Sequence, residues 1–329
     1  MSGPTKRSVV RIIGSILAVL CLVYWLNQQG WDEILAAIGR IQPGRFLLVL
    51  GVLMVSRLAV TTRWYILLRS ARSGISYSQA LRLTFAGLFA SNFLPTTIGG
   101  DVVRLVGGMQ MRLDGPVCTA SLIADRLIGV MGMATVLPIG LVHLWKVAAV
   151  EGTISLFRYE ALAVNTFNSV ASLPERIWRK TRQLGQRVFR ALTFWLKKPS
   201  ALIGALICTW IHMLLLFLAL WLLIIEMGEE MPLWLVGGLW TIVYFVTLLP
   251  LSINGLGIQE VTMTFFFSNI GGISLNGSLM LALLIRTLMM LASLPGAAFL
   301  PMILTAAKSQ PDTPLNPMQS TERISDLQR

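Results

Sequence analysis

Asn92-Phe93-Leu94-Pro95-Thr96-Thr97-Ile98-Gly99-Gly100-Asp101-Val102-Val103-Arg104 is the stretch on which the fold turns. It closes the uncharged run Leu83–Gly100, then sets an acid and a base three residues apart directly after a proline and two glycines. Proline removes a helix hydrogen bond and clashes with the preceding turn. Glycine lets the backbone bend and approach its neighbours closely. A helix is therefore expected to break across Pro95, Gly99 and Gly100 and to restart at Asp101. The same order of residues recurs later, in Leu248-Leu249-Pro250-Leu251-Ser252-Ile253-Asn254-Gly255-Leu256-Gly257-Ile258-Gln259-Glu260. There Pro250, Asn254, Gly255 and Gly257 make the break and Glu260 supplies the acid. Broken helices at membrane depth are tolerated only inside protein or beside a water-filled cavity. Paired interruptions in two halves of a chain point to a transporter-type site; two ordinary interfacial turns are the plainer alternative.

Composition sets the solvent. Hydrophobic residues make up 55% of the 329 and charged residues 13%, about half the charge of a soluble domain; the mean hydropathy is +0.72. Uncharged runs at Ile12–Trp31, Leu83–Gly100, Leu127–Trp145, Pro199–Ile225, Met231–Gln259, Val261–Ile285 and Thr287–Ala307 approach or exceed the roughly 20 residues that span a bilayer as a helix. The Leu-rich blocks do not alternate as barrel strands would. The fold class is therefore all-α, a polytopic membrane protein of about eight segments with two broken or re-entrant helices in an internal repeat. The segments are placed at 9–27, 45–66, 78–95, 117–145, 200–225, 231–250, 256–271 and 277–304. The stretch 146–170 reads as a surface helix or a short extra span. Residues 1–307 form one membrane domain, with a basic amphipathic segment at 172–198 suited to the inner leaflet; residues 308–329 read as a polar, disordered tail.

The net charge of +12 collects between spans, as the positive-inside bias predicts, and so argues for a membrane surface rather than nucleic acid. Lys6, Arg7 and Arg11 place the N-terminus inside, and an even number of crossings returns the C-terminus to the same side. Cys21, Cys118 and Cys208 lie far apart and form neither a disulfide framework nor a metal set. No metal and no cofactor is expected. Neither a phosphate-binding G-x-x-x-x-G-K-[ST] loop nor an H-E-x-x-H or G-x-S-x-G motif is present, so the chain reads as a transporter rather than an enzyme.

Charges stranded in apolar sequence are the candidate site, because each costs a few kcal/mol, on the order of 3, unless it faces a partner or a wet cavity. Asp101 and Arg104 share a helix face and read either as a head-group contact or as a pair that pins the break. Asp125 and Arg126 point about 100° apart on a helix, so one of them is expected to reach Arg104 or Asp101 across helices. Arg286 stands alone, with Glu260 its plausible partner. Arg57 and Arg63 read as snorkelling side chains, and His212 as a hydrogen-bonded core residue. Asp32 and Glu33 raise a rival reading, a lipid-linked glycosyltransferase or a membrane subunit of a glycolipid or hopanoid pathway; acids in the first turn of a short helix explain them more simply.

The first break and the run Ala120-Ser121-Leu122-Ile123-Ala124-Asp125-Arg126-Leu127-Ile128-Gly129, together with Ser56-Arg57, Arg63-Trp64 and Asn254–Glu260, resemble the flippase-like transmembrane domain of bacterial lysylphosphatidylglycerol synthases, also found in stand-alone inner-membrane proteins. The resemblance covers roughly 10–305. It implies a multi-pass bacterial inner-membrane protein that moves a phospholipid or modified lipid between leaflets. Its partners would be anionic or aminoacylated membrane lipids, with a lipid-modifying enzyme nearby. The head-group site would comprise Asp101, Arg104, Asp125, Arg126 and Glu260, with Arg286 beside Glu260. The 329 residues leave no room for an aminoacyl-transferase domain, so lysyl transfer is not expected.

Overall fold

The computed structural model describes residues 42–93, 99–150, 195, 197–248, 255 and 257–308. The expected first span (9–27), Asp32, Glu33, Pro95, Pro250, Asn254, nearly all of the 172–198 segment and almost the whole tail lie outside the described residues.

Among the described residues the regular structure is helical throughout, in nine helices: α1 (Pro43–Ser70), α2 (Tyr77–Phe93), α3 (Gly99–Gln110), α4 (Gly115–Val150), α5 (Pro199–Glu226), α6 (Leu233–Leu248), α7 (Ile258–Asn269), α8 (Leu275–Ser293) and α9 (Pro295–Lys308). Four stretches are long and apolar enough to cross a bilayer: α1, α4 as far as Trp145, α5, and α8 running on through Leu300. The expected segment 277–304 is two helices, because Pro295 opens α9 after a single residue, Leu294, beyond the end of α8. Large apolar side chains such as Leu47, Leu48, Met131, Trp145, Ile203 and Leu214 stand exposed along the long helices. Lipid is the solvent that such a surface fits.

The short helices form two hairpins. In the first, α2 and α3 run antiparallel: a Cβ on Gly100 would lie 2.4 Å from the carbonyl oxygen of Gly87, while one on Gly107, further along α3, would meet Leu83. Only glycine allows that backbone approach at Gly100. In the second, α6 and α7 return on each other, since Gly271 just beyond α7 abuts Met231 and Leu239. The expected breaks therefore separate helices that double back. At 1.5 Å per residue, the 12 residues of α3 and the 12 of α7 reach only about 18 Å, too short to cross.

The two halves match element by element. A 28-residue helix (α1, α5) leads to a hairpin arm of 17 or 16 residues (α2, α6). A 12-residue return arm follows (α3, α7), then a further long helical element (α4, α8–α9). Left-handed residues stop the corresponding helices: Arg72 and Gly228 after α1 and α5, Arg112 and Gly272 after α3 and α7. The long helices α1 and α5 lie antiparallel along their whole length. Arg45 at the start of α1 pairs with Glu226 at the end of α5 at 3.4 Å, and Lys198 Nζ donates to the Ser70 carbonyl at 2.6 Å at the other end. Midway, Ser56 meets His212 at 2.6 Å, and each is the fourteenth residue of its helix. An antiparallel pair that meets at equivalent positions is what a two-fold axis in the membrane plane produces. The repeat is thus inverted, and its hairpins enter from opposite ends of the bundle.

Those ends differ in charge. One gathers Arg69, Arg72, Arg112, Lys197 and Lys198; the other gathers Glu226, Glu229 and Glu230. Glu229 accepts from the Ser274 backbone at 3.2 Å and ties α5 to the start of α8. The halves are locked across the bundle where α4 crosses α6. A Cβ on Gly140 would sit 2.4 Å from the Gly238 carbonyl oxygen, and one on Gly238 2.8 Å from the Gly140 nitrogen. Backbone cannot step aside as a flexible side chain does. Gly238→Val is therefore expected to cost at least the ~1–3 kcal/mol typical of overpacking, read as a lower melting temperature in detergent, with Gly51→Val on the open face of α1 as the near-neutral control.

Candidate functional site

Five charged side chains of the first half form a continuous alternating chain. Arg63 Nε donates to Asp125 Oδ1 at 2.6 Å. Arg104 Nη1 and Nη2 both donate to Asp125 Oδ2 at 3.2 Å. Arg104 Nη1 also lies 3.5 Å from Asp101 Oδ1, and Asp101 Oδ2 accepts from Arg126 Nε. The chain runs Arg63–Asp125–Arg104–Asp101–Arg126 and joins α1, α4 and α3. Helical position explains its depth. Arg63 is seven residues from the end of α1 and Asp125 ten residues into α4, so the cluster sits about 10–15 Å in from the basic end.

Neighbours hold the chain in place. Trp64 lies under the Arg104 guanidinium, 4.1 Å from ring centroid to Cζ, a cation–π contact. Its indole nitrogen donates to Ser121 Oγ at 3.0 Å, which fixes the ring between α1 and α4. Arg63 Nη1 reaches Thr209 Oγ1 on α5 at 3.4 Å. Asp101 stands in the first turn of α3, where the helix dipole favours an acid. Gly87 leaves room for the Arg104 stem: a Cβ there would fall 2.8 Å from Arg104 Cγ.

These residues border a cavity of about 240 Å³ that also touches Arg57, Thr84, Ser91, Thr209, His212 and Tyr244. Arg104 and Asp125 are buried, whereas the Arg126 side chain is 57% exposed at the rim. Val102 and Leu127, the chain neighbours of Asp101 and Arg126, are exposed apolar groups. An exposed charge thus has exposed apolar neighbours in the chain, while the buried charges lie inward.

A second pair stands apart. Arg286 Nε lies 3.0 Å from Glu260 Oε1, and Arg286 Nη1 donates to Gln259 Oε1 at 3.1 Å. Glu260 Oε2 accepts from the Gly257 backbone at 2.8 Å, half of a capping box. Gly257 itself has φ +78°, a backbone that suits glycine and few other residues. The pair matches the first half in register. Asp101 and Glu260 are each the third residue of their return arm, and Arg126 and Arg286 each the twelfth of the following helix. It lies about as deep from the acidic end as the first cluster does from the basic end.

The structure thus brings Asp101, Arg104, Asp125 and Arg126 together and sets Glu260 with Arg286 at a separate location, not in the lining of the cavity. The expected cross-helix reach is found twice over, Asp125 to Arg104 and Arg126 to Asp101. Arg57 and Arg63 correct their snorkelling assignment. Arg63 is buried against Asp125, and Arg57 lines the cavity from the middle of α1. His212 makes the hydrogen bond expected of a core residue, yet it also faces the cavity. Among the described residues no group of three or more His, Cys, Asp or Glu could hold a metal.

The family model described as the lysylphosphatidylglycerol synthase TM region matches residues 11–296. The chain belongs to this family. No curated protein matches it. Membership in the lysylphosphatidylglycerol synthase TM region family makes the chain a membrane protein with a lipid-related role. The match takes in both hairpins, the alternating charge chain and the Glu260–Arg286 pair.

Proposed function

We propose that the chain is a lipid translocase, which moves a phospholipid or modified lipid between the leaflets of a bacterial inner membrane. The observation that carries this reading is the cavity: lined by charge, at membrane depth, with exposed apolar Val102 and Leu127 next in the chain to its lining residues Asp101 and Arg126. Its volume suits a head group and not a pair of acyl chains, so the tails would stay in lipid while the head enters. The inverted repeat supports alternating access. The first hairpin and its ion chain border the present opening, and the second hairpin with Glu260–Arg286 supplies the equivalent device from the other end. On the positive-inside bias the Arg/Lys-rich end faces the cytoplasm. About eight membrane segments are proposed in all, and Lys6, Arg7 and Arg11 near one terminus with Lys308 near the other assign both termini to that side. Transport would run downhill, on a gradient or through a partner.

The test is reconstitution in liposomes with fluorescent anionic, zwitterionic and aminoacylated lipids, wild type against Arg104→Ala. Wild type is expected to accelerate flip-flop of at least one lipid, and Arg104→Ala to slow it at least tenfold. A wild type that moves no lipid above protein-free vesicles would remove the reading. A folded Arg104→Ala protein that transports normally would move the site elsewhere.

A further inference from the structure

Arg57 is the fifteenth residue of a 28-residue helix, about 20 Å from either end. A guanidinium at that depth is among the costliest side chains a membrane can hold. Yet among the described residues Arg57 has neither an ion pair nor a hydrogen bond to its side chain, and its Nε is buried without a partner. The two carboxylates that share its cavity are already committed: both Asp125 oxygens bind Arg63 and Arg104, and both Asp101 oxygens serve Arg104 and Arg126. Four guanidiniums therefore face two acids across the cavity.

A guanidinium without a partner, on a cavity with an excess of two positive charges, describes a receptor for an anion. We infer that Arg57 binds the phosphate of an anionic lipid head group, and that the cavity discriminates against head groups with net positive charge. This rests on the translocase reading and narrows it: the cargo is an anionic phospholipid and not an aminoacylated one. A phosphodiester offers acceptor oxygens to a guanidinium fork. A lysine-type amine would meet only arginines and acids already held by arginines.

The inference predicts an unusual combination. An unpaired buried charge kept for binding should weaken the fold, so Arg57→Met is expected to melt no lower than wild type in lipid-free detergent while losing its ligand. The measurement is binding of fluorescent phosphatidylglycerol to the purified full-length protein, with phosphatidylcholine, lysylphosphatidylglycerol and inorganic phosphate as competitors. Wild type should prefer phosphatidylglycerol over the lysyl form by about tenfold or more, the worth of a charge-assisted hydrogen bond or two. Arg57→Met should lose at least that factor, and Arg57→Lys should regain part of it. Competition by inorganic phosphate alone would place recognition on the phosphate; competition by lipid only would show that the tails contribute as well, and either supports the site. The inference is overturned if Arg57→Met binds phosphatidylglycerol as wild type does, if the lysyl lipid binds equally well, or if Arg57→Met lowers the melting temperature as a purely structural residue would. Binding that behaves as expected in a protein that flips no lipid would sink the translocase reading and leave this site standing. Flip-flop indifferent to Arg57 would do the reverse.

Discussion

Asp125→Asn is expected to cost this protein more than any other single change in the cavity. One carboxylate serves two buried arginines, Arg63 at 2.6 Å and Arg104 at 3.2 Å, and Asp125 is itself 2% exposed. Neutralising it leaves two cations facing each other with no acid between them. Breaking a buried ion pair from one side costs about 3–5 kcal/mol, and here two pairs fail together. The amide could still accept one hydrogen bond, but it offers no charge. The expected outcome is a protein that is poorly recovered from membranes, or that melts at least 10 °C lower by fluorescence-detected size exclusion, on the scale of several kcal/mol lost. Arg126→Gln is the internal comparison. It also removes one member of the ion chain, but it leaves Asp101 its contact with Arg104 at 3.5 Å and strands no buried arginine, so the melting temperature should fall far less. If Asp125→Asn is as stable as Arg126→Gln, the chain of charges does not hold α1, α3 and α4 together.

The contrast between Arg57 and Arg63 shows how far the sequence could be read. Both lie in one apolar segment, and snorkelling is a sound reading when a helix is thought to end near residue 66. The helix runs on to Ser70, because Trp64, Leu67 and Leu68 are buried against neighbours. That extension moves Arg57 to mid-membrane and turns Arg63 inward. Its partner Asp125 is 62 residues away in sequence, and no local spacing connects them. Local signals did better. Gly99 and Gly100 open α3 and Gly257 caps α7, and the i,i+3 spacing of Asp101 and Arg104 put them on one face. The isolation of Arg286 pointed to Glu260. The inverted repeat was visible only at its breaks, because the positions that meet on its axis, Ser56 and His212, share no residue type. Symmetry here is held by helix lengths, by left-handed stops and by the placing of charges, features that emerge once the helix ends are known.

The Glu260–Arg286 pair offers the sharpest separation of structure from transport. Glu260 is buried, and its two oxygens are divided between Arg286 at 3.0 Å and the Gly257 backbone at 2.8 Å. Glu260→Leu should therefore cost about 3–5 kcal/mol for the stranded arginine, plus about 1 kcal/mol for the lost cap. Arg286→Leu should be comparably damaging, since it leaves a buried carboxylate. The double variant Glu260→Leu/Arg286→Leu behaves differently, because apolar residues of similar size often replace a buried pair at little cost. It is expected to recover most of the stability lost by either single change, apart from the cap, giving a coupling of about 5 kcal/mol or more in a double-mutant cycle. Transport is expected to fall at least tenfold in the same double variant, because the second hairpin then lacks the charges that answer Asp101 and Arg126 in the first. Melting temperature and liposome flip-flop, measured on one set of four proteins, decide the matter. A double variant that is stable and transports normally would make the pair a structural staple and confine the working site to the first half. Recovered stability with lost transport would support a mechanism in which both hairpins take turns at the lipid.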